Sequence, residues 1–270
     1  MNDPAGVAQA TQWVLDHLVL AVLILTRLSL LLMAMPAVGV GVPRRVRAML
    51  AIVMTMLLLA PVANQMTSDS GLGGGLPAYG NLTELTIAMG REALIGMLIG
   101  ATVQLIVTGF QIGGELMSGT GGMQLGDSID PTVGVSVPAT ARLIGMMVTA
   151  IFLLVGGHRL LLGLLVDSFD SMPAGRVRFD SPMMDVILDQ LAAGMVAGVR
   201  IAAPVVAALL LANLVTGLVS RTLPQINVLA IGLSVNALTL LLVLALSLSS
   251  IGFVFQDEMA AALDRIGMLF

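Results

Sequence analysis

The stretch from Glu92 to Pro131, EALIGMLIGATVQLIVTGFQIGGELMSGTGGMQLGDSIDP, limits what this chain can fold into more than any other part of it. Its first half, Ala93 to Phe110, is apolar and uncharged, long enough for a membrane-type helix. Its second half gathers Gly109, Gly113, Gly114, Gly119, Gly121, Gly122 and Gly126 around Glu115, Met117 and Met123. Glycine at that density frees the backbone to take positive φ and weakens a helix. The segment is too apolar for a solvated linker. The spacing therefore predicts an irregular loop over 111–131, closed by Asp130-Pro131, that protein covers or that lines a cavity.

The flanking chain is of one kind. Over all 270 residues only 10% are charged and 57% are hydrophobic, whereas soluble domains carry about a quarter charged residues. Apolar runs predict six helices, about 13–35, 48–63, 83–110, 139–166, 183–218 and 228–255, with Pro36, SDSGLGGGLP, Pro138, the loop 168–182 and SRTLPQIN as breaks. The expected fold class is an all-α membrane protein, its helices in hairpins, forming a single polytopic domain over 1–270. Pro204 predicts a kink in the fifth helix, and Gly96/Gly100 and Gly194/Gly198 predict close helix approach. The N-terminus carries Asp3 and Asp16 without a basic region, so a cleavable signal peptide is not expected. Arg44, Arg45, Arg47 and Arg221 against Arg176 and Arg178 predict both termini outside. One Trp and one Tyr are few for aromatic belts; either the belts are dispensable or much of the surface faces other protein.

Arg27, Glu92, Glu115, Arg142, His158, Arg159, Arg200 and Asn213 lie in or beside apolar runs. An ionisable group in hydrocarbon costs roughly 2.5–3.5 kcal/mol, so such residues face protein or water. They could form an ion or proton relay, or pair as struts that set helix register. Struts fit better. The deeper positions are mostly arginine, which releases no proton, and the two glutamates sit near the ends of the third helix. His17 and His158, without any cysteine, make a poor metal site. No Ser/His/Asp grouping, GK[ST] loop or HExxH is present, so no catalytic residue, cofactor or metal is expected. Met117 and Met123 would make a compliant stopper in the glycine segment, since methionine re-packs as its surroundings move.

Taken together, VPRRVRAMLA, REALIGMLIG with GFQIGGELMSGTGGMQLGDSIDP, GGHRLLLGLLVDSF and NLVTGLVSRTLPQINVLAIGLSVNALTLLL resemble the FliR/SctT family of flagellar and type III secretion export-gate subunits. The resemblance implies a non-enzymatic subunit of the bacterial inner membrane that joins FliP-like and FliQ-like subunits in a spiral, conical channel. A FlhB-like switch subunit, unfolded export substrates and membrane lipid would be its further partners, and nucleic acid would not. It also implies that the loop matching Gly114–Gly126 plugs the closed channel, through Gly114, Met117, Gly119, Gly121, Gly122, Met123 and Leu125. SGTGG is smaller than the family's usual segment, which shifts the seal toward Met117, Met123 and Leu125. Glu92, Arg142, His158, Asn213, Arg221, Gln225 and Asn227 are expected to make contacts between helices or subunits, with Asp130, Pro131 and Pro224 shaping loops. The competing reading is a six-helix small-molecule or ion transporter using Arg142, Glu92 and His158.

Overall fold

Apolar side chains recurring on one face decide each element, and every regular element among the described residues is a helix. The structure is a computed structural model that describes residues 4–68, 77, 79–122, 138–176, 182–222 and 227–269. Helices α1 (Pro4–Ala34), α2 (Val38–Gly41), α3 (Arg44–Ser68) and α4 (Leu82–Thr120) are followed by α5 (Ala139–Leu154), α6 (Gly157–Ser171), α7 (Pro182–Thr222) and α8 (Val228–Gly267). Five of them are long and apolar enough to cross a membrane, or six if α5 and α6 count as one broken span. The chain is an all-α membrane protein.

The chain divides into two compact units. The first comprises 1–104, 156–187 and 263–270. Its core is the α1 stripe Leu20, Leu23, Ile24, Leu28 and Leu31, with Ile95 and Ile99 of α4 and Leu161 and Leu165 of α6. Gly96 and Gly100 bring the backbones of α4 and α1 together. A Cβ on Gly100 would lie 2.7 Å from the Leu31 carbonyl oxygen and 2.8 Å from the Ala34 methyl. Arg47 reaches back from α3 to donate to the Gly39 carbonyl (2.8 Å), which pins α2.

The second unit comprises 105–155 and 188–262. Here Ile106, Phe110, Ile144, Val148, Phe152, Val205, Leu209 and Phe255 are buried, and Phe110 meets Phe255 edge-on at 5.8 Å. The glycines at 109–114 have a different use from the one their density implies. Gly109 and Gly113 sit against the backbones of Gly194 and Gly198, and a Cβ on Gly114 would lie 2.6 Å from Ala141 Cα.

That packing corrects the expected loop. Residues 111–120 are helical and extend α4 to Thr120, because close backbone contact offsets the cost of glycine in a helix. Gly114, Met117 and Gly119 are therefore on a helix, and Met117 is fully buried. The expected helix 139–166 breaks in two. Gly156 takes φ +79 between α5 and α6 and its carbonyl accepts the Arg159 and Leu160 amides, a left-handed position that suits glycine. Beyond 255 the chain stays helical to Gly267, burying Phe255, Met259, Ala262 and Ile266 along one stripe. α7 continues through Pro204, and α3 is longer than expected at both ends.

Candidate functional site

A helix leaves its last four carbonyls without partners inside the helix. At the end of α4 the carbonyls of Met117, Gly119 and Thr120, and that of Gly121 just beyond, each have a partner. The Gly121 amide donates to Met117 O (3.0 Å) and the Gly122 amide to Gly119 O (3.2 Å), with Gly122 at φ +70 ending the helix. Thr120 O accepts from Asn213 Nδ2 of α7 at 3.0 Å, and Gly121 O accepts from Asn236 Nδ2 of α8 at 3.1 Å. Asn236 Nδ2 also donates to Asn213 Oδ1 at 2.7 Å. Because both partners of Asn236 Nδ2 are acceptors, the orientation of this amide is fixed by its network. Asn236 is buried, and its Oδ1 has no hydrogen-bond partner among the described residues. Two asparagines from two helices thus hold the point where the glycine segment leaves α4. Beside them lies a cavity of about 430 Å³, lined by Gly119–Gly122, Asn213, Thr216, Gly217, Gly232, Leu233 and Asn236. Earlier on α4, Thr140 Oγ1 donates to Gly114 O at 3.0 Å, which ties the first turn of α5 to the same helix.

The first unit contains a second polar cluster, and it is charged. Arg27 and Glu92 are both fully buried, with Arg27 Nε donating to Glu92 Oε2 at 2.5 Å. Arg27 Nη1 donates to Ser168 O (3.0 Å) and Ser168 Oγ (2.9 Å), and Nη2 donates to Met172 O (3.0 Å). The guanidinium lies 4.1 Å from the centroid of the Phe169 ring. Glu92 Oε1 accepts the Gly175 amide at 2.8 Å. Arginine suits the position because its planar fork supplies several donors in fixed directions and keeps its charge. Arginine holds its proton, so Arg27 itself cannot pass one on. The cluster ties α1 and α4 to the end of α6 and to the turn at 172–175. Tyr79 adds a contact from its hydroxyl to Gly175 O (3.3 Å). Burial, with the Glu92 charge adding to it, pushes the Tyr79 phenol up from its usual value.

The remaining sequence candidates are scattered. Arg142 is exposed on α5, Arg221 is exposed in the last turn of α7, and Glu115 is exposed on α4. His158 lies in the first turn of α6, with a buried Nδ1 that has no partner among the described residues. Asn227 caps α8, its Oδ1 accepting the Ala230 amide at 3.3 Å. Met123, Leu125, Asp130, Pro131, Pro224 and Gln225 lie outside the described residues. Sequence reasoning passed over Asn236 and Ser168. For Asn236 a signal existed, since it is an amide well inside the longest uncharged stretch of the chain.

The family model described as bacterial export proteins, family 1, matches residues 18–262. The chain is 29% identical over 245 residues to the flagellar biosynthetic protein FliR of Caulobacter vibrioides, covering 90% of this chain and 94% of that one. It is 28% identical over 192 residues to the FliR of Escherichia coli, covering 71% of this chain and 69% of that one. It is also 27% identical over 166 residues to the surface presentation of antigens protein SpaR of Shigella flexneri, covering 61% and 64%.

Proposed function

The chain belongs to the bacterial export proteins, family 1, and from that premise we propose that it is a structural and gating subunit of the flagellar type III export channel. The coarser statement follows from the family and the fold: this is a multi-pass inner-membrane component of flagellar and type III protein export. The finer reading has three parts. The chain joins FliP-like and FliQ-like subunits, works with a FlhB-like switch subunit, and performs no chemistry on the proteins that pass. The glycine segment after α4 closes the passage, with Met123 and Leu125 as its bulky members. Arg142, Arg221 and Gln225 meet neighbouring subunits.

The observation that carries the gating reading is the double amide cap at Thr120–Gly122. A closing segment needs a fixed root, and this one is held from two helices at Thr120 and Gly121, where α4 ends. Exposed leucines on α7 (Leu210, Leu211, Leu214, Leu218) and on α8 (Leu238, Leu241, Leu242, Leu246) support the partner reading, since lipid or sister subunits must cover them. The test is deletion of 123–129, which spares the buried helical residues of α4. The assembled complex should then leak ions and small solutes. Assembled complexes with unchanged permeability would overturn the assignment.

A further inference from the structure

We propose that the outer face of α3 binds an anionic phospholipid, with the phosphate held by Arg44 and Arg45 and an acyl chain laid along the helix. The charge balance comes first. Between Asp16 and Asp69 the chain has no acidic residue, against four arginines. Arg27 is paired with Glu92, and Arg47 donates to the Gly39 carbonyl, which holds that side chain without neutralising it. Arg44 and Arg45 are exposed in the first turn of α3. Among the described residues neither has an ion pair or a hydrogen-bond partner. α4 passes the end of α1 at Gly100 and carries no charged residue from Ala93 to Gly114. Three positive charges within four positions therefore call for an anion from outside.

The apolar surface beside them has the dimensions of a lipid. α3 is the least buried of the five candidate spans, with Ala51, Thr55 and Val62 turned inward and the helix packed on α1. The opposite side carries Arg45, Met49, Ile52 and Met56 at spacings of four, three and four, one stripe of a helix. Met49, Ile52 and Met56 are 67%, 50% and 65% exposed. From Arg45 to Met56 the stripe runs roughly 16 Å at 1.5 Å per residue. That is close to one leaflet's share of a hydrocarbon core ~30 Å thick. Helical side chains lean toward the N-terminus, so both arginines lean off the apolar end of the span, where headgroups lie. A guanidinium fork pairs with two phosphate oxygens at once, and unbranched methionine conforms to a mobile chain. A soluble acidic partner would satisfy the arginines and leave the stripe uncovered. The inference rests on the membrane location of the chain and not on the gating reading.

The experiment uses the full chain purified in detergent with its co-purifying membrane subunits. Phosphatidylglycerol is titrated in, or phosphatidylcholine with the same acyl chains. Bound lipid is counted by native mass spectrometry, and the unfolding midpoint is followed alongside. Saturable binding of phosphatidylglycerol with a raised midpoint is expected, and neither with phosphatidylcholine. Arg44→Gln combined with Arg45→Gln should raise the half-saturating concentration roughly tenfold. Arg159→Gln, at an exposed arginine of α6, should leave it unchanged. Equal binding of the two lipids, or phosphatidylglycerol binding that survives the double variant, would overturn the proposal. So would inorganic phosphate raising the midpoint as far as the lipid does, which would mark a plain phosphate site. If the double variant sheds co-purifying subunits while the two lipids bind alike, an acidic protein occupies the face and the proposal falls. Where the double variant yields no folded protein, Arg45→Gln alone decides, by a shift in the same direction.

Discussion

The two polar clusters do similar work by opposite means. Arg27–Glu92 joins residues 65 apart in the chain and reaches Ser168, 141 positions from Arg27. Asn213–Asn236 joins two helices to a third across 93 and 115 positions. The first is charged and fully buried, and both carboxylate oxygens of Glu92 are engaged. The second is neutral, exposed at Asn213, and leaves Asn236 Oδ1 without a partner among the described residues. A buried charge pair is all-or-none, since removing one member strands the other in a medium that cannot solvate it. An amide pair loses its bonds one at a time, each worth about 0.5–1.5 kcal/mol. The charged tie suits a part that must not move, and the amide tie suits one that can be released.

That contrast can be broken by experiment, starting where the effect is largest. Glu92→Leu should destabilise the chain by about 3–5 kcal/mol, seen as loss of folded protein from membranes. Adding Arg27→Met should recover most of the loss; a double variant as unstable as the single one would show that charge stranding is not the cause. Gly109→Ala should cost about 1–3 kcal/mol by forcing α4 off Gly194, measured as a lowered unfolding midpoint in detergent. Gly163→Ala, where a Cβ meets nothing within 4 Å, should instead stabilise by about 0.5–1 kcal/mol. Asn236→Ala should cost about 1 kcal/mol and speed hydrogen exchange at the Gly121 and Gly122 amides while leaving that of Gly175 unchanged. Smallest is Asn227→Ala, about 0.5–1 kcal/mol through loss of the α8 cap, confined in exchange experiments to the first turn of that helix. Equal spreading of the exchange effects over both clusters would erase the distinction drawn above.

Helices and their number of spans were legible because apolar run length is a direct physical requirement of the bilayer. The polar residues Arg27, Glu92 and Asn213 stood out against those runs for the same reason. Their partners did not, because a pairing between Arg27 and Glu92 depends on how α1 and α4 lie together, which no local pattern carries. The glycines at 109–114 were read as freedom when their use is contact. Glycine serves both ends, and only the facing Gly194 and Gly198 decide between them. Gly156 shows the reverse case: sitting inside an apolar run, it looked like a helical residue and is a break.

The cap at Thr120–Gly122 also has a mechanical side. Any pull on the chain beyond Gly122 is shared between α7 and α8, because each grips a different carbonyl of the same turn. A tug that loosens one grip leaves the other in place, and the turn can re-form before the second yields. Only a force or partner acting on both helices together would free the root in a single event.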